Sequence, residues 1–217
     1  MKVDPVALEQ LTSGDGETFR QVFAIYAASI NAREQKPEEW LRAMVAAPEY
    51  RVWTAQQDGR VLGFSILFVP PGEGYALLEY MAVAPEKRGA GFGGRLFQKT
   101  VAQALTPQGA TLPVLLEVDA DREAPSDRET RTRRLRFYRR LGCLTIAGLR
   151  YLMPLQGAGA APEMDLMIYS PVPVAHLPVA RVRGWLQSIY RDVYRFSPDD
   201  PRIAEMLRDL PDPVPVE

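Results

Sequence analysis

Apolar positions recur at helical spacing over residues 14–31, where Phe19, Val22, Phe23, Ile25, Tyr26 and Ile30 gather and Asp15 or Thr18 stands in a capping position. Pro37, followed by Glu38 and Glu39, opens a second helical stretch that runs to about Ala47. The period then changes. Apolar runs at 50–57 and 60–69 flank Asp58-Gly59, a pair that accepts the positive φ angles of a two-residue hairpin turn. Pro70-Pro71-Gly72 interrupts the chain, and 75–84 reads as a third, adjacent strand. Helical spacing returns over 91–105 through Leu96, Phe97, Val101 and Ala104, and 112–118 has the apolar run of a buried strand. Residues 126–141 read as an Arg-rich helix stopped by Gly142, and 145–154 and 164–170 as two more strands separated by QGAGAAPE. Beyond Pro171 come the linker-like SPVPVAHLPVA, helical patterns near 180–194 and 201–209, and a tail, PDPVPVE, expected to fray.

Helices, an antiparallel meander, then strand-helix-strand-helix-strand predict an α/β fold with a mixed sheet. The composition shift places one domain at 1–170 and a Pro-rich linker with a helical C-terminal extension at 171–217. In that extension Trp185, Leu186, Ile189, Tyr190 and Tyr194 form an apolar stripe, expected to pack back on the domain or into a homodimer.

Charge and composition mainly exclude. Twenty-six basic residues against 27 acidic ones leave a net charge of -1, so neither a nucleic-acid nor a membrane partner is expected. The N-terminus has no secretory pattern and no apolar run spans a bilayer, which predicts a cytoplasmic protein. A single cysteine, Cys143, rules out an intrachain disulfide. A single histidine, His176, argues against a His-ligated metal, and no Gly-x-Ser-x-Gly elbow accompanies it for hydrolase chemistry.

The chemistry concentrates in Arg88-Gly89-Ala90-Gly91-Phe92-Gly93-Gly94, between a strand and a helix. Glycines allow close backbone approach, and the free amides at a helix start face the positive end of its dipole, so the loop suits a diphosphate. A mononucleotide loop fails, because Arg95-Leu96 stands where Lys-Ser/Thr is required. A dinucleotide site satisfies G-x-G-x-x-G at Gly89, Gly91 and Gly94, with Glu117 or Asp119 as the acidic residue. Pro85 to Arg88 nevertheless separate strand from glycines, and the upstream meander is foreign to a βαβ half-domain.

The same stretch resembles motif A of the GCN5-related N-acetyltransferase (GNAT) superfamily. Arg88 to Gly93 match its Arg/Gln-x-x-Gly-x-Gly/Ala after Val83-Ala84-Pro85, and Phe137-Tyr138-Arg139-Arg140-Leu141-Gly142-Cys143 is similar to motif B. The resemblance implies a GNAT-like mixed, mostly antiparallel central sheet flanked by helices. It implies acetyl-CoA as co-substrate without a metal, its diphosphate on the loop and its pantetheine along Met81, Ala82 and Val83. It also implies an acetyl transfer to a primary amine of a small molecule or protein. Such a transfer needs an amine to lose a proton, a polarised thioester and a stabilised thiolate. Glu79 is the candidate base, sharing a face with Met81 and Val83 by strand alternation, or else an ion-pair partner. Tyr138 matches the family tyrosine that reaches the CoA sulfur, although Leu135, Tyr138 and Leu141 also share a packing face. Arg131 and Arg134 stand where the Asn and the small residue common in the family would be, so the resemblance does not carry over the family's Asn contact to CoA. Arg33, Glu34 and Trp40, in the connection after the first helix, are candidate acceptor contacts, or ordinary polar loop residues. An acyl-CoA sensor without turnover and a dinucleotide-binding protein remain as alternatives.

Overall fold

The computed structural model describes residues 6–120, 128–155 and 161–217, which divide into two compact units. The first comprises Met1–Val69 and Ala76–Thr111, the second Pro70–Tyr75 and Leu112–Glu217.

In the first unit, β1 (Ala7–Leu11), β2 (Tyr50–Gln57), β3 (Arg60–Phe68) and β4 (Ala76–Val83) pair antiparallel in chain order. The β2–β3 hairpin turns at Asp58 and Gly59, with φ of 51° and 71°, as the sequence predicts. Helices α1 (Glu17–Ser29) and α2 (Glu38–Ala46) bury Phe19, Val22, Tyr26, Leu41 and Met44 against Val52, Phe64, Ile66 and Tyr80. Pro37 precedes α2 as its cap rather than opening it. Ser65, between Phe64 and Ile66, points to the other face and donates to Thr100 Oγ1 at 2.6 Å on α3 (Phe92–Val101). Strand β1 was not foreseen. Only Leu11 of its five residues is buried, so a strand held at the sheet edge by backbone pairing leaves almost no apolar pattern.

The second unit is built on β5 (Val114–Asp119) and β8 (Glu163–Tyr169), paired antiparallel from Val114↔Tyr169 to Asp119↔Met164. Helix α4 (Arg128–Arg140) packs on β5. The single strand expected over 145–154 is two short ones, β6 (Leu144–Thr145) and β7 (Tyr151–Leu152), both on β8. Gly148, at φ 75°, turns the chain out between them. After β9 (His176–Leu177), α5 (Val179–Ser188) continues into a wider turn at Ile189–Val193, followed by α6 (Pro201–Leu207) and β10 (Val214–Pro215). The extension's stripe is buried within this unit: Trp185, Leu186, Ile189 and Tyr190 are 0–4% exposed, and Tyr190 donates to the Leu152 carbonyl at 2.5 Å. The tail does not fray. Val214 is fully buried, β10 pairs with β9, Ala147 N–H donates to Pro215 O at 2.9 Å, and Thr145 and Glu217 exchange two backbone bonds.

The fold is thus α/β, a mixed, mostly antiparallel sheet flanked by helices. Among the described residues, no helix is long and apolar enough to cross a membrane.

Candidate active site

Strand β4 ends at Val83, a single 3₁₀ turn follows at Pro85–Lys87, and the glycine loop leads into α3. Gly89 and Gly91 sit at φ 84° and 80°, a left-handed backbone that other residues adopt at a cost. A Cβ built on either meets nothing within 4 Å, so the loop faces open space. Gly91 stands at the helix start, and the Arg95 amide is the first to find a helical acceptor, Gly91 O at 3.3 Å. Among the described residues, nothing accepts a hydrogen bond from the amides of Gly89 to Gly94. Six donors at the positive end of a ten-residue helix are a donor set suited to an anion. Arg88 does not point freely at this site. Its guanidinium donates to Val83 O at 3.2 Å and to Ser29 Oγ at 3.4 Å, tying the loop to α1.

Glu79 departs from the strand alternation expected of it. The β3–β4 register slips between Ile66 and Leu67: Ile66 faces Tyr80 and Leu67 faces Leu78, leaving Glu79 without an opposite residue. Such a bulge re-aims side chains. Glu79 and Tyr80 consequently both reach the α1–α2 connection, Glu79 Oε1 accepting from Lys36 Nζ and the Tyr80 phenol donating to Glu34 O at 3.0 Å. Glu79 Oε2 is buried and has no hydrogen-bond partner among the described residues. Lys36, the residue that sequence reasoning missed, is held in turn by its backbone N–H on the Tyr26 phenol at 2.6 Å. Nothing in NAREQKPEEW distinguishes Lys36 from its charged neighbours before the connection is folded onto β4.

The other acceptor candidates are in the first unit as well. Arg33 and Glu34 lie on the connection, Arg33 exposed and Glu34 half-buried, their amides bonded to Asn31 Oδ1 at 3.0 Å and Asn31 O at 2.8 Å. Trp40, on α2, is 42% exposed, an unusual position for an indole.

In the second unit, Tyr138 is 9% exposed, and burial pushes its phenol up to about 12, with Arg134 opposing and Cys143 adding to the rise. The two arginines that depart from the family pattern fasten α4 to the end of β5. Arg131 donates to Ala120 O at 3.0 Å and Arg134 pairs with Asp119. Residues 126 and 127, where this helix was expected to begin, lie outside the described residues. Glu117, the other acidic residue of the dinucleotide alternative, accepts hydrogen bonds from Tyr151 and, at 2.7 Å, from Tyr194 of the extension. Cys143 is a free buried thiol, pushed up to about 12 by burial.

A family model described as an acetyltransferase (GNAT) domain matches residues 29–142. No curated protein matches the sequence. Among solved structures, a GNAT-family protein from Bacteroides thetaiotaomicron is similar at 21% identity and a TM-score of 0.69, covering 88% of this chain and 99% of its own. An aminoglycoside 6'-N-acetyltransferase complexed with coenzyme A is similar at 14% identity and a TM-score of 0.59, over 77% of this chain and 98% of its own. A spermidine N-acetyltransferase from Vibrio cholerae, in complex with CoA and spermine, is similar at 16% identity and a TM-score of 0.53, over 76% and 94%.

Proposed function

Since the chain belongs to the GNAT acetyltransferase family, we propose that it transfers an acetyl group from acetyl-CoA to a primary amine of a small molecule or protein. The observation that carries this reading is the row of unpartnered amides from Gly89 to Gly94 at the start of α3. They receive the CoA diphosphate, and the backbone of Met81, Ala82 and Val83 receives the pantetheine. Glu79, with one oxygen on Lys36 and the other buried and without a partner among the described residues, takes the proton that the amine loses as it attacks.

Tyr138 serves as a hydrogen-bond donor to the departing sulfur. A phenol held at about 12 stays protonated at neutral pH. Relative to an ordinary thiol near 8.5 it is the weaker acid by roughly 3.5 units, so complete proton transfer to the thiolate is uphill by about 5 kcal/mol. Donating a hydrogen bond without surrendering the proton stabilises the thiolate at no such cost.

Calorimetry with CoA, followed by free-thiol release from acetyl-CoA across a panel of amines, tests the reading. Heat on CoA addition and thiol release with at least one amine are expected. No heat, or a stronger response to NAD(H), overturns it. Heat without turnover on any amine supports the acyl-CoA sensor instead.

A further inference from the structure

The Glu79–Lys36 pair is enclosed, with side chains 2% and 11% exposed. Lys36 is delivered to it by a braced connection. The Gln35 amide donates to Ala27 O at 3.1 Å and Ile30 O at 2.7 Å, Tyr80 holds Glu34 O, and Tyr26 holds the Lys36 amide. The bulge in β4 supplies the other half by turning Glu79 toward these residues. What the arrangement leaves open is a single atom, Glu79 Oε2, buried and without a donor among the described residues. A buried carboxylate oxygen in that condition is costly unless something donates to it, so it marks the place of one N–H.

Charge decides which N–H. An isolated buried carboxylate attracts an ammonium; this one is already neutralised by Lys36. Arg33 is exposed and Glu34 half-buried on the same connection, and the phenols of Tyr26 and Tyr80 face the pair from α1 and β4. A second ammonium at Oε2 stands next to Lys36 Nζ in a poorly screened setting, where like charges repel strongly. An uncharged amine donates to Oε2 without that repulsion.

We propose that Lys36 sets the choice of acceptor: by neutralising Glu79 it selects amines that are substantially uncharged at neutral pH, such as peptide α-amino groups, over lysine side chains and polyamines. The inference rests on the acetyltransferase reading above. In the step itself, the lone pair of the neutral amine attacks the thioester carbonyl, forming C–N as C–S breaks. The surplus amine proton passes to Glu79 Oε2, and the carboxyl returns it to the CoA thiolate, leaving amide and CoA thiol.

An α-amino group with a pKa near 7.8 is about one-third uncharged at about pH 7.5, whereas a lysine side chain is uncharged in only about one molecule in 800. The greater nucleophilicity of the more basic amine offsets part of this, so a preference of at least about tenfold in kcat/KM is expected. The measurement compares a lysine-free peptide bearing a free α-amine with its Nα-blocked counterpart bearing one lysine, using acetyl-CoA and mass detection of each product. Wild-type protein should favour the α-amine, Lys36→Arg should keep that preference, and Lys36→Met should bring the ratio toward one. A wild-type ratio near one or favouring lysine overturns the inference, as does an unchanged ratio in a folded, CoA-binding Lys36→Met. Should that variant fail to fold, simple alkylamines of graded basicity decide it on wild-type protein. There kcat/KM must fall as amine basicity rises, and a flat or rising trend sinks the idea. Turnover with inverted preference removes only the acceptor inference, while no turnover on any amine removes acetyl transfer with it.

Discussion

Replacing Gly91 with alanine separates the conformational role of the loop from its binding role. Gly91 has φ 80° and ψ -3°, and the added Cβ meets nothing within 4 Å. The mutation therefore carries backbone strain without a steric clash. A left-handed alanine costs about 1–2 kcal/mol. Restricting the unfolded chain returns about 0.4–1 kcal/mol, leaving a net loss of about 1 kcal/mol. For a chain of this size that lowers Tm by about 2–4 °C. The methyl also projects into the open space before the row of free amides, so CoA affinity should fall by more than tenfold, about 1.4 kcal/mol or more. Asparagine tolerates the left-handed region, so Gly91→Asn should recover much of the stability while still obstructing the site. Thermal unfolding and calorimetry with CoA on the three proteins make the test. If both variants bind CoA as wild type does, the loop is not the diphosphate site; if Gly91→Ala melts unchanged, the strain argument fails.

Gly63→Ala, at ordinary φ, should destabilise by about 1–3 kcal/mol for the opposite reason, since its Cβ would lie 2.7 Å from Ala82 O and 3.2 Å from Val83 Cα, both backbone; an unaltered denaturation midpoint refutes it. Tyr138→Phe should lower kcat about tenfold or more with little change in CoA affinity, and wild-type turnover would reduce Tyr138 to a packing residue. Lys36→Met leaves a buried carboxylate without its ion, so a loss of about 3 kcal/mol in urea unfolding is expected, and Lys36→Met with Glu79→Gln should regain part of it. Stability should also fall in alkali. Burial raises Tyr75, Tyr138, Tyr151 and Tyr190, so above the ordinary phenol value near 10 the unfolded chain gives up protons that the native protein retains. The stabilisation is complete below pH 10 and drains away as pH rises; Tyr138 alone, held at about 12, loses about 2 kcal/mol of it by about pH 12. A urea midpoint that stays flat from pH 9 to about 12 contradicts that sign.

The sequence made the fold legible wherever one face of an element is buried and the other is not. Helices α1 and α3 and the Asp58-Gly59 hairpin came from such contrasts, and the glycine loop from a spacing with few structural meanings. What stayed hidden depends on partners distant in the chain. Strand β1 is held by backbone bonds to β2 that side chains do not advertise. The tail PDPVPVE looks like a disordered end, and its order comes from Ala147, Ala175 and Leu177. Within the candidate site, Glu79 could be singled out but not aimed, because a one-residue slip in register against β3 has no signature in LLEYMAV. Lys36 was invisible for the same reason: 43 residues separate it from the carboxylate that gives it meaning.

The last strand has a practical implication. Residues 214–217 lie between two partners, bonding 145–147 on one side and 175–177 on the other. Trimming them would strip both neighbours of their hydrogen-bonding rows at once, next to a surface where Leu144 and Val172 are already 36% and 65% exposed. Open strand margins beside bare hydrocarbon invite chains to join one another, so truncated protein should clump before it unfolds.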